Sequence, residues 1–202
     1  MKIVISFLLN FVIIALLLAI ALRFLIKSGC PLKLKGKKNE YTGYNPGRSE
    51  LIKVFAITIL FRAAIILLAW FINCILDGGY ANVIDMFTRW DAVHYINIAE
   101  KGYSGYIEGG KHLFLVFFPL YPWIVRIISY IIPSTAISGM LVSSVCYAAG
   151  GCMLYKLICG EYSKKIAIRS VIYISVFPFA FFFGGIMTEG LFFLTVTCCL
   201  YY

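Results

Sequence analysis

Three ionisable side chains stand where polar chemistry could be done at the edges of long apolar runs: Asp91, His94 and Glu189. Asp91 and His94 are three residues apart, which puts both on one face of a helix. A carboxylate there can act as a general base toward a hydroxyl, with the histidine holding charge nearby. The same spacing has a plainer meaning, because Thr88-x-x-Asp91 also fits a capping box in which Asp91 satisfies a helix N-terminus. Glu189 closes the stretch Gly184-Gly185-Ile186-Met187-Thr188, where the two glycines can break a helix. A carboxylate in so apolar a run must be paired, face a polar cavity, or reach water at an interface. Arg62 interrupts another apolar run and is either functional or snorkels toward water. Arg126 can hold a phosphate through charge-assisted hydrogen bonds or anchor to lipid headgroups. The aromatic residues nearby, Tyr121, Trp123, Tyr130 and Phe181 to Phe183, suit an interface or a packed core.

Lipid is the solvent these residues imply. Of 202 residues, 62% are hydrophobic and 13% charged, and mean hydropathy is +0.92. A water-facing surface needs about twice that share of charge. The net charge of +9 comes from lysines and arginines clustered between apolar runs, which marks topology rather than a nucleic-acid partner. The seven cysteines show no Cys-x-x-Cys pair and the two histidines lie far apart. Neither a disulfide framework nor a metal site is indicated, and no cofactor is expected.

The elements that must position Asp91 and Glu189 follow from the charge pattern. Ile3–Ile26 is long enough for a first span and too long for a signal peptide. A loop follows with Lys27, Lys33, Lys35, Lys37, Lys38 and Arg48, and it belongs on the cytoplasmic side. A second span over Val54–Leu76 then runs outward, which leaves Asp77 to Lys111 outside. Within that segment Thr88 to Glu100 is expected as a helix with Thr88 as N-cap and Gly102 as its stop. Phe118–Ile132, with Pro119, Pro122 and Arg126, is expected along the outer surface as a juxtamembrane helix. That choice sends Ile137–Ile158 inward and keeps Lys156, Lys164, Lys165 and Arg169 in the cytoplasm. Twenty residues of helix from Arg169 cover ~30 Å, so Glu189 reaches the same face as Asp91. Leu191–Tyr202 is apolar and too short to span, so the chain is expected to be the first part of a longer protein. The fold class is an all-α membrane protein with several spans.

Several segments in order resemble one family. They are Arg89-Trp90-Asp91-Ala92-Val93-His94-Tyr95, Ile98-Ala99-Glu100-Lys101-Gly102-Tyr103, Phe117-Phe118-Pro119-Leu120-Tyr121-Pro122, and Phe177-Pro178 with Phe181-Phe182-Phe183 and Thr188-Glu189. Together they look like the PIG-V mannosyltransferases, which include the second mannosyltransferase of GPI-anchor assembly and prokaryotic relatives. The resemblance implies a polytopic GT-C glycosyltransferase that takes mannose from a polyprenyl- or dolichyl-phosphate donor to a glycan or glycolipid acceptor. It maps the catalytic carboxylate of the first large external loop onto Asp91 and brings Thr188 and Glu189 to the same site. Joined to the residue chemistry, it makes Asp91, His94 and Glu189 the catalytic candidates and Arg89, Trp90, Arg126 and Thr188 the substrate-binding ones. Residues 1–50 precede the usual family start as an extra span and basic loop, and 51–202 match the first part of the membrane domain. A bacterial plasma membrane is expected before an endoplasmic reticulum membrane. Two other functions fit the composition: an inactive membrane fragment, or a transporter of a lipid-linked sugar, for which inverted repeats would be wanted and none is visible.

Overall fold

The computed structural model describes residues 43–77, 82–105 and 107–202, with Ala19 and Arg23 isolated from them. The expected first span and most of the basic loop lie outside the described residues. Residues 40–202 form one compact unit. Its helices are α1 (Arg48–Asp77), α2 (Val83–Phe87), α3 (Ala92–Lys101), α4 (Leu120–Ser129), α5 (Thr135–Glu161), α6 (Lys164–Val176) and α7 (Glu189–Tyr201). A two-stranded hairpin, β1 (Ile107–Glu108) and β2 (Lys111–His112), lies between α3 and α4. Its turn uses Gly109 and Gly110 at φ 56° and 76°, the left-handed conformation a two-residue hairpin loop requires.

Two helices, α1 and α5, are long and apolar enough to cross a bilayer. At 1.5 Å per residue, α1's 30 residues measure about 45 Å. Only 17% of its most apolar stretch is buried against the rest of the chain. Leu60, Leu67, Phe71, Ile75 and Leu76 each leave more than half their surface open. A soluble core helix would cover such residues with protein, whereas a membrane covers them with lipid. The chain is a membrane protein on this evidence. The expected surface helix is α4, whose ten residues reach about 15 Å and cannot cross. Pro119 is its N-cap and Pro122 sits in its first turn, where a missing N–H costs nothing.

The long helix α5 is the axle of the unit. Small side chains along it let neighbours approach closely, the usual device of membrane helix packing. A Cβ on Gly151 would lie 3.2 Å from the Thr58 hydroxyl of α1, and one on Gly150 would lie 2.6 Å from the Phe193 ring of α7. Contacts at Leu51–Cys152 and Arg62–Tyr147 show α1 and α5 running antiparallel. Tyr147–Ser175 sets α6 antiparallel to α5 as well. Gly190 beside Ser143 and Tyr201 beside Lys156 show α7 parallel to α5. One end of the unit therefore holds Glu50, Lys156 and Lys164, and the other holds α2, α3, α4 and Glu189.

Two local expectations change. The run from Arg169 to Glu189 is not one helix. Phe177 leaves α6 with ψ 140°, because the residue before a proline is pushed out of the helical region. A 3-10 turn over Ala180–Phe183 and a bent stretch then lead to α7. The expected helix over Thr88–Glu100 also starts later, at Ala92.

The α5–α7 crossing yields a prediction. A Cβ on Gly190 would stand 2.4 Å from the Ser143 carbonyl oxygen, whereas one on Gly160 meets nothing within 4 Å. Gly190→Ala should cost on the order of 1–3 kcal/mol by overpacking and lower the melting temperature in detergent. Gly160→Ala should hold or raise it. Equal melting of both variants would show that the two helices do not pack this closely.

Candidate active site

Sequence alone offers Asp91 as a helix cap, and the structure removes that role. Asp91 occupies the N-cap position of α3, but with helical φ −66° and ψ −17° and no side-chain cap hydrogen bond. Thr88 does not cap α3 either. It closes α2, its N–H donating to the Ile84 carbonyl and its hydroxyl to the Asp85 carbonyl. The cause lies at Trp90, whose φ of 53° is the left-handed conformation that a bulky residue adopts at a cost of about 1–2 kcal/mol. That turn ends one helix, starts the next and leaves the Asp91 carboxylate exposed. It also lays the Trp90 indole against Phe181 and Phe182, at centroid distances of 6.0 and 5.8 Å. Gly102 does stop α3, with φ 77° and its N–H on the Ile98 carbonyl.

Glu189 begins α7 and comes into the electrostatic field of Asp91. Burial is the larger reason its carboxyl titrates above the usual value, and repulsion from Asp91 adds to it; its own backbone N–H works the other way. One of its oxygens, Oε2, is buried without a hydrogen-bond partner. Tyr95, one helical turn after Asp91, lies within electrostatic reach of both carboxylates. Its hydroxyl is raised in pKa by burial first, lowered by a hydrogen bond with Thr188, and raised again by the charges of Asp91 and Glu189. Asp91, Tyr95, Thr188 and Glu189 thus form one cluster from α3 and the start of α7. Tyr95 was not singled out from sequence, although its place four residues after Asp91 carried the same helical-face signal as His94.

The remaining candidates sit elsewhere. His94 packs its ring against Phe114 and Phe117, at 5.7 and 5.4 Å. Arg126 is exposed on the flank of α4, with its Nε donating to the Tyr130 hydroxyl at 3.4 Å. Arg89 is exposed and lines a small cleft with Met86, Trp90, Phe181, Phe182 and Met187, one residue from the Asp91 turn. Among the described residues no group of three or more His, Cys, Asp or Glu side chains gathers as metal ligands would.

Two buried networks hold the cluster. The Tyr121 hydroxyl meets the Gly139 carbonyl at 3.1 Å and the Ser143 hydroxyl at 2.9 Å. Ser143 in turn donates to the Met187 carbonyl at 2.9 Å. This ties α4 and α5 to the residue before Thr188. Deeper in the unit, Arg62 does not snorkel; it is 1% exposed. Its guanidinium lies over the Tyr147 ring at 4.7 Å and donates from Nη1 to the Ala180 carbonyl. Gly184 leaves room for it, because a Cβ there would overlap the Arg62 Cδ. Tyr147 also stacks on Phe183 at 4.6 Å. Arg62 therefore grips the non-helical stretch that leads from α6 to Glu189.

Residues 118–202 match the family of dolichyl-phosphate-mannose-protein mannosyltransferases. The match takes in Arg126, Thr188 and Glu189 and begins after Asp91 and His94. It supports a mannosyltransferase-like glycosyltransferase of the GT-C kind over that part of the chain and does not single out the PIG-V branch. No curated protein and no solved structure matches the chain.

The raised carboxyl of Glu189 has a measurable consequence. Its ordinary value is 4.5, and folding lifts it, so the folded state binds the proton more tightly than the unfolded one. The stability this gives is complete below 4.5 and is lost as pH rises through the folded value. Glu189→Gln should therefore melt above the wild type at pH 7 to 8, with the gap closing near pH 4. Asp91→Asn should narrow the same gap in the wild-type background. A Glu189→Gln variant that melts below the wild type at neutral pH would contradict a strained carboxylate.

Proposed function

We propose that this protein is a GT-C glycosyltransferase that moves mannose from a polyprenyl- or dolichyl-phosphate donor to a hydroxyl of a glycan or glycolipid at the non-cytoplasmic face. The observation that carries this is an uncapped, exposed Asp91 within electrostatic reach of a half-buried Glu189, which itself lies in the mannosyltransferase-like segment. The positive-inside bias supports the sidedness, with Lys156, Lys164 and Lys165 at the opposite end of the unit. The narrower likeness to PIG-V enzymes rests on Arg89–Tyr95 and the segments after it, and it favours a multi-pass protein of a bacterial plasma membrane.

The reaction is an inverting displacement. The acceptor oxygen attacks the anomeric carbon of the donor sugar while the bond from that carbon to the phosphate oxygen breaks. The lipid phosphate leaves with the electron pair, and the acceptor proton passes to Asp91 acting as general base. Glu189, whose burial and nearness to Asp91 favour its neutral form, is a second hydrogen-bonding group for the sugar or phosphate. Tyr95, hydrogen-bonded to Thr188, links α3 to the start of α7 beside the two carboxyls. Arg89, beside the Asp91 turn, is placed better than Arg126 to meet the donor phosphate. The Trp90 indole offers an apolar face to the sugar or to the first isoprene units. His94, packed among phenylalanines, supports α3 against the loop after the hairpin.

Membranes containing the protein, supplied with radiolabelled polyprenyl-phosphate mannose, test this. Asp91→Asn should lower label transfer into membrane acceptors by roughly 100-fold or more, at unchanged protein level. Glu189→Gln should retain part of the rate, and His94→Phe most of it. Near-normal transfer by Asp91→Asn would sink the assignment.

A further inference from the structure

At the end of the unit opposite Asp91, α1 and α6 diverge around a cleft of about 410 Å³. Its lining is graded along the helices. Glu50, Lys53, Lys164 and Lys165 form the mouth, and Val54, Ile57 and Ile168, with Tyr155 of α5, line the rest. Ile57 is seven residues beyond Glu50, or about 10 Å deeper. The mouth is also biased in charge. Lys164 is held by Glu50 at 2.7 Å and lies over the Tyr44 ring at 3.9 Å. The Tyr44 hydroxyl donates to the other Glu50 oxygen at 2.8 Å. Glu50 is thus fully engaged, while Lys53 and Lys165 are exposed and make no ion pair among the described residues. Ser163, ahead of α6, gives no side-chain cap, so the first amides of that 13-residue helix add to the positive field.

We infer that this cleft is a binding site for one anionic phospholipid of the leaflet at that end, its phosphate between Lys53 and Lys165 and an acyl chain along Val54, Ile57 and Ile168. The order of polarity argues for an amphiphile over a soluble anion. A free phosphate uses the lysines but leaves the deeper isoleucines bare, whereas a phospholipid covers both. Basic pockets between membrane helices suit acidic headgroups, each lysine contributing about fivefold in occupancy. The lipid adds to a junction of α1 and α6 that already holds the buried cluster of Val54, Tyr155, Ala167 and Val171 and the exposed Lys164–Glu50 pair, which by itself adds little. The inference depends on membrane insertion and is independent of the proposed sugar transfer.

The test uses the whole chain in nanodiscs of phosphatidylcholine with one-fifth phosphatidylglycerol, released into native mass spectrometry to count retained lipid. The wild type should carry one phosphatidylglycerol in preference to phosphatidylcholine. Lys53→Gln with Lys165→Gln should cut that retention at least fivefold. Ile57→Trp, which fills the acyl path and leaves charge unchanged, should cut it too. Lys101→Gln with Lys111→Gln, both exposed and absent from the cleft lining, should leave it intact. Four results would overturn the inference: equal retention of the two lipids by the wild type, unchanged retention by the lysine pair or by Ile57→Trp, loss of retention in the control pair equal to that in the cleft pair, or displacement of the lipid by millimolar inorganic phosphate, which would mark a soluble-anion site.

Discussion

The Arg62 guanidinium under the turn at Ala180 is the contact on which the rest of the unit depends. A cation in the middle of an apolar helix costs about 2.5–3.5 kcal/mol on insertion scales. A desolvated cation–π contact returns about 2 kcal/mol, and a hydrogen bond from a charged group about 1.5–3 kcal/mol. The Tyr147 ring and the Ala180 carbonyl supply one of each, so the arginine is tolerated only while both stay in place. That requirement fixes the stretch after Phe177, which has no helix of its own to hold it. Nε and Nη2 of Arg62 stay buried without partners, so the position has little slack. Gly184 meets the side chain so closely that a Cβ there would overlap it. Five residues later comes Glu189.

From there the order is imposed by α5. Gly139, Ser143 and Gly150 present backbone or a small hydroxyl to Ile186, Gly190 and Phe193. Ser143 links Tyr121 of α4 to the Met187 carbonyl, so the surface helix and the start of α7 answer to the same residue. The Tyr95–Tyr121 edge contact at 5.2 Å carries the link on to α3. Positions of the two carboxylates are therefore set by packing among helices, not by a hydrogen bond between them.

Much of this could be anticipated from residue types. The apolar parts of α1 and α5 followed from length and charge, although α1 begins at Arg48, inside the segment expected as loop, and α4 was distinguishable from a span by its prolines and Arg126. Gly102 marked the end of α3 because its place after the last periodic residue matches a C-terminal glycine. The depth of Glu189 relative to Asp91 was approachable by counting, although the count assumed a helix that Pro178 interrupts. What sequence could not supply were features made by tertiary contact. Thr88-x-x-Asp91 has the spacing of a cap, and nothing local reveals that Trp90 turns left-handed to reach Phe181 and Phe182. Arg62 looked equally able to reach water, since Tyr147 and Ala180 are remote in the chain. His94 and Tyr95 both shared a helical face with Asp91, and only the position of α7 chose the tyrosine.

The separation of Arg62 from its partners bears on how the protein is made. The Ala180 carbonyl lies 118 residues downstream. When α1 leaves the ribosome it carries a bare guanidinium into the bilayer, and the groups that satisfy it have not been synthesised. At 5–20 residues per second, that interval lasts roughly 6–24 s. During it α1 is an incomplete span, held by its apolar length alone, and is the natural client of an insertase or chaperone that shields polar groups in lipid. Assembly around α5 is then the step that commits α1 to the membrane, and biogenesis and site formation become one event.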